Sequence, residues 1–207
     1  MLDNSFYTIS QTPRLAICCR GVGLHSGNEC IVHIENNIEN TGIVFYSMDN
    51  KNNINTIIPA NVNFSRHAIF RTQLSNNGYD INTIEHLMAA FRVCRINNVI
   101  VKVWGNEIPI LDGSAVVWTR LFDSVKYVNS AVPVKQIKIL KEIHVEHNKH
   151  WCKLHPVDYL DFVIDYEFDH PHPLINYSHR TIEFSTSPRK PVVSLDQQIS
   201  AAFLLDY

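Results

Sequence analysis

The sequence lacks the features that mark several classes of protein. No apolar run approaches the roughly 18 consecutive residues that a membrane-spanning helix needs, and residues 1–6 carry neither the basic nor the apolar region of a secretory signal. The 18 basic and 20 acidic residues give a net charge of −2 and form no block of one sign. Because no strong field would attract a polyanion, we expect no nucleic-acid partner.

Cysteine is scarce, and its spacing is typical of neither disulfides nor metal sites. There are 5 cysteines, an odd number; Cys18 and Cys19 are adjacent, and no CxxC pair occurs. This pattern favours reduced thiols in a cytoplasmic protein, with Cys18, Cys19 and Cys152 in the core. The 207 residues are 45% hydrophobic, which is enough for one large domain or two small ones.

Short extended segments dominate the first 130 residues. Residues 15–19 and 30–34 are predicted strands on either side of a polar turn at 21–27. The turn resembles a phosphate-binding loop only loosely, because a strand follows it, and a hairpin is predicted instead. Two further strands are predicted over 42–46 and 99–104.

Two helices are predicted in the same part of the chain. An apolar stripe at helical spacing predicts a helix over 82–94, with Asn82 as its N-cap and Glu85 closing a capping box. Ser114 is the expected cap of the second helix. The residues expected to face the core from that second helix are Val117, Leu121 and Val125, with Trp118 and Phe122 flanking them.

After Pro133 the pattern indicates a second αβ unit. Strands are predicted over 134–145, 151–156, 159–166 and 181–184, and a helix from Ser194. The sequence thus predicts an α+β fold of two domains, 1–130 and 131–207, each a sheet packed on helices. The second domain offers one helix to cover its sheet, so we expect it to be incomplete.

Glu85 and His86 are the first candidate pair for chemistry. Neighbours on a helix diverge by about 100°, but at a helix N-terminus both side chains can reach one cleft. There His86 would bind a metal and Glu85 would accept a proton from water. The alternative is that Glu85 merely caps the helix and His86 lies on the surface; HExxH is absent, so the spacing leaves both open.

The remaining histidines have no recognised ligand spacing. His144, His147 and His150 recur every three residues and are expected in an exposed connection between strands. His170 and His172 could chelate a metal, although a solvated loop is the alternative interpretation.

Three segments point to a known family: 21–27 (GVGLHSG), 83–90 (TIEHLMAA) and 107–115 (EIPILDGSA). In this order they closely resemble the UDP-3-O-acyl-N-acetylglucosamine deacetylases of lipid A biosynthesis, and the resemblance runs from about residue 7 to about residue 202. It implies two αβ domains with the active site between them. It also implies Zn²⁺ as cofactor and hydrolysis of the acetamide of a UDP-sugar lipid precursor.

The resemblance assigns roles to particular residues. His86 corresponds to a zinc ligand and Glu85 to the general base that activates water. His25 corresponds to a histidine near the cleft and is the candidate substrate-binding residue. Asp112 is expected to organise the loop before the second helix, while Arg95 stands where the family usually has glycine.

The family also uses groups with no counterpart in these 207 residues, namely an HKxLD-type segment with two zinc ligands and a later catalytic histidine. We therefore expect a C-terminally shortened chain. The primary interpretation is a zinc-dependent cytoplasmic deacetylase. The alternatives are a catalytically silent relic of that enzyme and an unrelated nucleotide-sugar-binding module. The sequence indicates no oligomeric state.

Overall fold

The structure is a computed structural model that describes residues 9–13, 16–39, 41–125, 127–133, 137–148, 150–157, 162–174 and 176–184. These residues form two compact units, one between residues 9 and 132 and the other between 133 and 184. The division into functional domains at residue 130 stays a prediction. The helix expected from Ser194 lies outside the described residues.

The first unit contains most of the regular structure. Its described elements are β1 (Ile9–Pro13), β2 (Ile17–Val22), β3 (Glu29–Asn36), β4 (Ile43–Met48), β5 (Ile54–Pro59), a 3-10 turn (Val62–Phe64), β6 (Ser65–Arg66), β7 (Gln73–Asn76), β8 (Tyr79–Asn82), α1 (Glu85–Val93), β9 (Val99–Trp104), α2 (Val116–Asp123) and β10 (Tyr127–Pro133). The predicted strands over 15–19, 30–34, 42–46 and 99–104 correspond to β2, β3, β4 and β9 and are confirmed.

Five strands form the main sheet of this unit, in the order β2-β3-β9-β4-β5. The central strand β9 runs antiparallel to β3 and parallel to β4. Its residues alternate in burial, because Val99, Val101 and Val103 point to one face and are fully buried. A smaller sheet, β6-β7-β8, leads directly into α1, and β1 pairs with β10.

Buried side chains from the main sheet and both helices form one cluster. Phe45 and Val101 contribute from the sheet, and Leu87 contributes from α1. The rings of Phe91 in α1 and Phe122 in α2 stack with centroids 5.1 Å apart. The α+β class predicted from the sequence is confirmed.

The start of α1 differs from the expected capping box. The helix begins at Glu85 and has no side-chain cap, because Asn82 is the last residue of β8. The Asn82 amide instead donates to the carbonyl of Asn106 at 2.9 Å and accepts from Arg71 Nε at 3.0 Å. The capping box prediction was wrong because strand pairing and this amide network compete for the same residue.

The second helix presents a different face to the core than expected. The N-cap of α2 is Ala115 and makes no side-chain cap hydrogen bond, so the prediction of Ser114 as the cap is wrong by one position. Ser114 Oγ still accepts a hydrogen bond from the backbone N–H of Val116 at 3.2 Å. The buried residues of α2, however, are Trp118, Thr119 and Phe122. The predicted stripe is off by one position, because the two large aromatic rings bury more apolar area than Val117 and Leu121.

In the second unit, two antiparallel hairpins are described. β11 (Ile143–His147) pairs with β12 (His150–Leu154), and β13 (Phe162–Asp169) pairs with β14 (Tyr177–Phe184). The predicted strand over 134–145 is therefore wrong for 137–142, which are not in a strand, while 134–136 lie outside the described residues. His144, His147 and His150 are exposed as expected, but they lie within strands.

Two cysteines expected in the core are exposed: Cys18 and Cys152 lie at the surface, while Cys19 is half-buried. All five cysteines are free thiols. Among the described helices, none is long and apolar enough to cross a membrane.

Candidate active site

Glu85 and His86 form the start of α1, and both side chains are largely buried, 16% and 1% exposed respectively. Glu85 Oε1 lies 3.9 Å from His86 Nε2. The other oxygen, Oε2, accepts a hydrogen bond from the backbone N–H of Thr72 at 3.0 Å, whereas no described residue hydrogen-bonds to Oε1. The interpretation of Glu85 as a cap and His86 as a surface residue is therefore wrong.

The electrostatics of the site favour a neutral imidazole. Burial lowers the pKa of His86 below its usual value, although the negative charges of Glu85 and Asp112 raise it in part. A neutral imidazole retains the nitrogen lone pair that a metal ion requires.

The backbone just before this pair is strained. Thr83 is 1% exposed and has a φ of 57°, in the left-handed region that β-branched residues rarely adopt. Phe70 and Leu111, each with a φ of 56°, precede Arg71 and Asp112. Such strain costs on the order of 1–3 kcal/mol per residue and concentrates at functional sites.

A buried carboxylate holds the strained residue. Glu107, 1% exposed, accepts a hydrogen bond from the Thr83 hydroxyl at 2.9 Å. It also accepts from the backbone N–H groups of His25 at 2.9 Å and Ser26 at 2.8 Å. Burial would raise the pKa of Glu107, but the hydrogen bonds from His25, Ser26 and Thr83 outweigh it and lower this pKa below its usual value.

The backbone of the third segment lies between the other two. On one side, Asn82 N–H donates to Asn106 at 2.9 Å and Ile108 N–H donates back to Asn82 at 3.0 Å. On the other side, Ile110 N–H donates to Val22 at 3.0 Å. Glycine is required at position 23, because a Cβ there would overlap Glu107 Oε2 and Ser26 Oγ.

The structure treats the other two candidate residues differently. His25 lies in the turn between β2 and β3, with its backbone bound to Glu107 and its side chain exposed. The same turn confirms the predicted hairpin. Asp112 Oδ1 accepts from both the backbone N–H and the hydroxyl of Ser114, at 3.0 and 2.9 Å. The role predicted for Asp112, organising this loop, is confirmed.

Apart from His86, no histidine among the described residues is buried. His170 Nδ1 accepts from the backbone N–H of His172 in an exposed turn. Across the part of the chain that the structure describes, no group of three or more His, Cys, Asp and Glu side chains is arranged to hold a metal ion.

Comparison with known proteins agrees with this geometry. Residues 10–202 match the model of the LpxC family, described as UDP-3-O-acyl N-acetylglycosamine deacetylase. The chain belongs to this family. The three segments that resemble LpxC proteins are the ones that meet at Glu107.

Individual relatives support the same assignment. The UDP-3-O-acyl-N-acetylglucosamine deacetylase of Shewanella violacea is 41% identical over 170 residues, which are 81% of this chain and 54% of the relative. Its namesake from Shewanella sediminis is 39% identical over the same shares, and that of Shewanella sp. strain ANA-3 is 37% identical over 86% of this chain and 58% of the relative. The chain spans about half the length of the curated relatives it matches.

Sequence reasoning missed Glu107, although one signal for it was present. Glu107 directly precedes the largely apolar run Ile108–Leu111. A carboxylate that must enter an apolar core is stable only if hydrogen bonds or an opposite charge compensate it. The sequence does not reveal which groups donate hydrogen bonds to Glu107, because one of them, the His25 N–H, lies 82 positions away in the chain.

Proposed function

We propose that this chain carries the general base and one metal ligand of a UDP-3-O-acyl-N-acetylglucosamine deacetylase. The observation that supports this most is Glu85 Oε1, which is buried, 3.9 Å from His86 Nε2 and without a hydrogen bond from any described residue. Such an oxygen is available to accept a proton. The reaction itself, hydrolysis of an acetamide, follows from the names of the LpxC relatives.

In this proposal Glu85 and His86 have separate tasks. The Thr72 N–H holds Glu85 Oε2, which orients Oε1 to take a proton from the attacking water. His86 would hold Zn²⁺ through a ring nitrogen, and the ion, when bound, supplies positive charge that polarises the amide carbonyl. His25, exposed on its turn, would contact the UDP-sugar lipid substrate.

The side chains of His86 and Glu85 are of the types found at zinc sites, but their number is too small to hold the ion alone. A neutral buried imidazole beside a carboxylate is typical of catalytic zinc sites, but these take three protein ligands. The described residues offer His86 and no group of three. The proposal therefore requires ligands from outside the described residues. The proposed location is the cytoplasm, because five free thiols are typical of proteins in a reducing compartment.

Acetate release from UDP-3-O-acyl-N-acetylglucosamine with added Zn²⁺ tests the proposed base. Glu85→Gln keeps the shape of the side chain but cannot accept the proton, so turnover should fall by roughly 10²–10⁴-fold. Glu35→Gln is the matched control, since Glu35 lies at the opposite end of β3 from the His25 turn and pairs with Lys102 at 2.7 Å. Turnover that survives Glu85→Gln would contradict the role of Glu85. No turnover by the unaltered chain would favour the catalytically silent alternative.

Zinc competition against a chromogenic chelator tests the proposed ligand. His147 and His150 lie directly opposite each other in the β11–β12 hairpin and could bind zinc adventitiously. The measurement is therefore made on a His147→Asn, His150→Asn background. We expect His86→Ala to weaken the remaining zinc affinity, and equal affinity with and without His86 would exclude it as a ligand.

A further inference from the structure

The carboxylate of Glu107 contacts two segments of the candidate site while its own backbone lies in the third. Its Oε1 accepts from His25 N–H and from the Thr83 hydroxyl, and its Oε2 accepts from Ser26 N–H. His25 is 82 positions away in the chain, and Thr83 is 24 positions away. The Glu107 side chain therefore links the His25 turn to the residues that precede α1, in addition to the backbone hydrogen bonds that the third segment makes to Val22 and Asn82.

The arrangement requires a charged acceptor of this length. All three partners are donors, and a carboxylate can accept from each of them without presenting a hydrogen of its own. A glutamine would turn an N–H₂ group toward at least one of the three donors, which would then lose its acceptor. The absence of a side chain at Gly23 makes room for this carboxylate, because a Cβ there would lie 2.3 Å from Glu107 Oε2.

The bond to Thr83 acts on strained backbone. Thr83 has a φ of 57° and lies two positions before Glu85 and three before His86. Backbone strain of this kind persists only when surrounding contacts hold it. Losing the bond to Glu107 would allow Thr83 to relax toward a right-handed or extended conformation, and that change would move the first turn of α1.

We propose that Glu107 is a positioning residue, which holds the His25 turn and the first turn of α1 in a fixed relation through hydrogen bonds to His25, Ser26 and Thr83. Glu107 does not contact the substrate in this role. The catalytic consequence rests on the proposed function of Glu85 and His86, whereas the positioning itself does not.

Amide resonances of the full 207-residue chain report the positioning without any activity. Amide protons that donate to a carboxylate resonate downfield. In Glu107→Gln, the His25 and Ser26 amide resonances should move upfield, and those of Ile84 to His86 should shift with them. Glu35→Gln should leave all of these unchanged, since it removes a carboxylate from the other end of β3.

A milder pair of variants covers the case in which Glu107→Gln fails to fold. Thr83→Ser keeps the hydroxyl, whereas Thr83→Val keeps the branched shape and loses it. Thr83→Val should shift the His25 and Ser26 resonances, and Thr83→Ser should leave them close to those of the unaltered chain. A merely space-filling role for Thr83 predicts the reverse ranking, because valine matches the volume of threonine better than serine does.

Kinetics then connect the positioning to the reaction. Misplacing catalytic groups by about 1 Å can cost on the order of 100-fold in rate. We expect kcat/KM for acetate release to fall about 10- to 100-fold in Thr83→Val and Glu107→Gln, with rescue to within about twofold in Thr83→Ser. The double variant Thr83→Val, Glu107→Gln should lose no more kcat/KM than Glu107→Gln alone, because Thr83 and Glu107 take part in the same interaction.

The possible results separate the two proposals. Unchanged His25 and Ser26 resonances in folded Glu107→Gln, or in Thr83→Val where Glu107→Gln does not fold, would overturn the positioning role. Shifted resonances with kcat/KM equal to that of Glu35→Gln would overturn its catalytic consequence. If the unaltered chain has no turnover, the proposed function fails, and the resonances still decide whether Glu107 positions the turn.

Discussion

The two units of the molecule use histidine in opposite ways. In the first unit, His86 is almost fully buried at the start of α1 and lies 3.9 Å from a carboxylate oxygen. In the second, His144, His147 and His150 occur close together in the sequence, yet all three are exposed on a two-stranded hairpin. The unit richer in closely spaced histidines does not contain the candidate site.

The difference lies in what surrounds each imidazole. His86 is 1% exposed, and burial lowers the pKa of its imidazole, which favours the neutral form. On the hairpin, the nearest aromatic partner of His144 is Trp151, itself 61% exposed, and no buried carboxylate is described nearby. Histidines and carboxylates therefore indicate a metal site only where the surrounding packing holds their side chains in place.

Core truncation should reveal the largest contrast between the units. Phe122 is fully buried and stacks on Phe91, so Phe122→Ala should lower the free energy of unfolding by about 3–5 kcal/mol. Trp151→Ala removes a larger but exposed side chain and should change it by less than about 0.5 kcal/mol. Urea denaturation followed by circular dichroism measures both. Equal losses would show that the hairpin face is covered in solution.

The strand pattern of the first unit was predictable from the sequence, whereas the start of α1 and the buried face of α2 were not. The strand over 99–104 coincides with β9, because alternating valines on a half-buried strand leave little choice of register. The N-terminus of α1 was placed too early, since Asn82 is a good cap by residue type. In the structure the Asn82 side-chain amide instead donates a hydrogen bond to the Asn106 carbonyl. The preference of asparagine for the helix N-cap was outweighed by this contact between residues 24 positions apart.

Sequence reasoning identified the candidate site through resemblance, without the contacts that build it. The pair Glu85–His86 was found, but the 3.9 Å approach of their side chains depends on the Thr72 N–H, which no local pattern reveals. Glu107 was missed for the same reason. Its three donors come from two other segments, and hydrogen bonds between distant segments leave no spacing pattern.

Acidification should distinguish a buried carboxylate from an exposed one. The pKa of Glu107 is below its usual value, so its ionised form stabilises the folded state above the ordinary carboxyl pKa. That contribution is lost as the pH falls through the depressed folded-state value. Glu107→Gln should therefore cost about 1–3 kcal/mol at pH 7 and progressively less in acid.

Asp165 is the matched carboxylate of the second unit. Hydrogen bonds from His179 and Thr181 lower its pKa as well, but the side chain is exposed on β13. Asp165→Asn should change stability much less than Glu107→Gln at pH 7, because water replaces the lost contacts. Urea midpoints measured from pH 7 downward test both variants. A pH-independent loss in Glu107→Gln would show that its charge is not what stabilises the turn.

The smallest effect is expected at two residues whose backbone is in the left-handed conformation, Arg95 in the first unit and Asn148 in the second. Arg95 has a φ of 55° just after α1, where Ile96 N–H donates to the Phe91 carbonyl at 2.8 Å and Arg95 N–H donates to Arg92 at 3.2 Å. This is the Schellman arrangement, whose left-handed position favours glycine, the residue usual there in the resembled family. Arg95→Gly should therefore stabilise the first unit by about 0.5–1 kcal/mol, since relief of backbone strain exceeds the added chain entropy.

Asn148, with a φ of 56° after β11, is the control, because asparagine already tolerates the left-handed region. Asn148→Gly should leave the thermal midpoint nearly unchanged, while Arg95→Gly raises it. The direction of the Arg95 effect is decisive. If Arg95→Gly lowers the midpoint, contacts of the arginine side chain outweigh its backbone strain, and the arginine stabilises the end of α1.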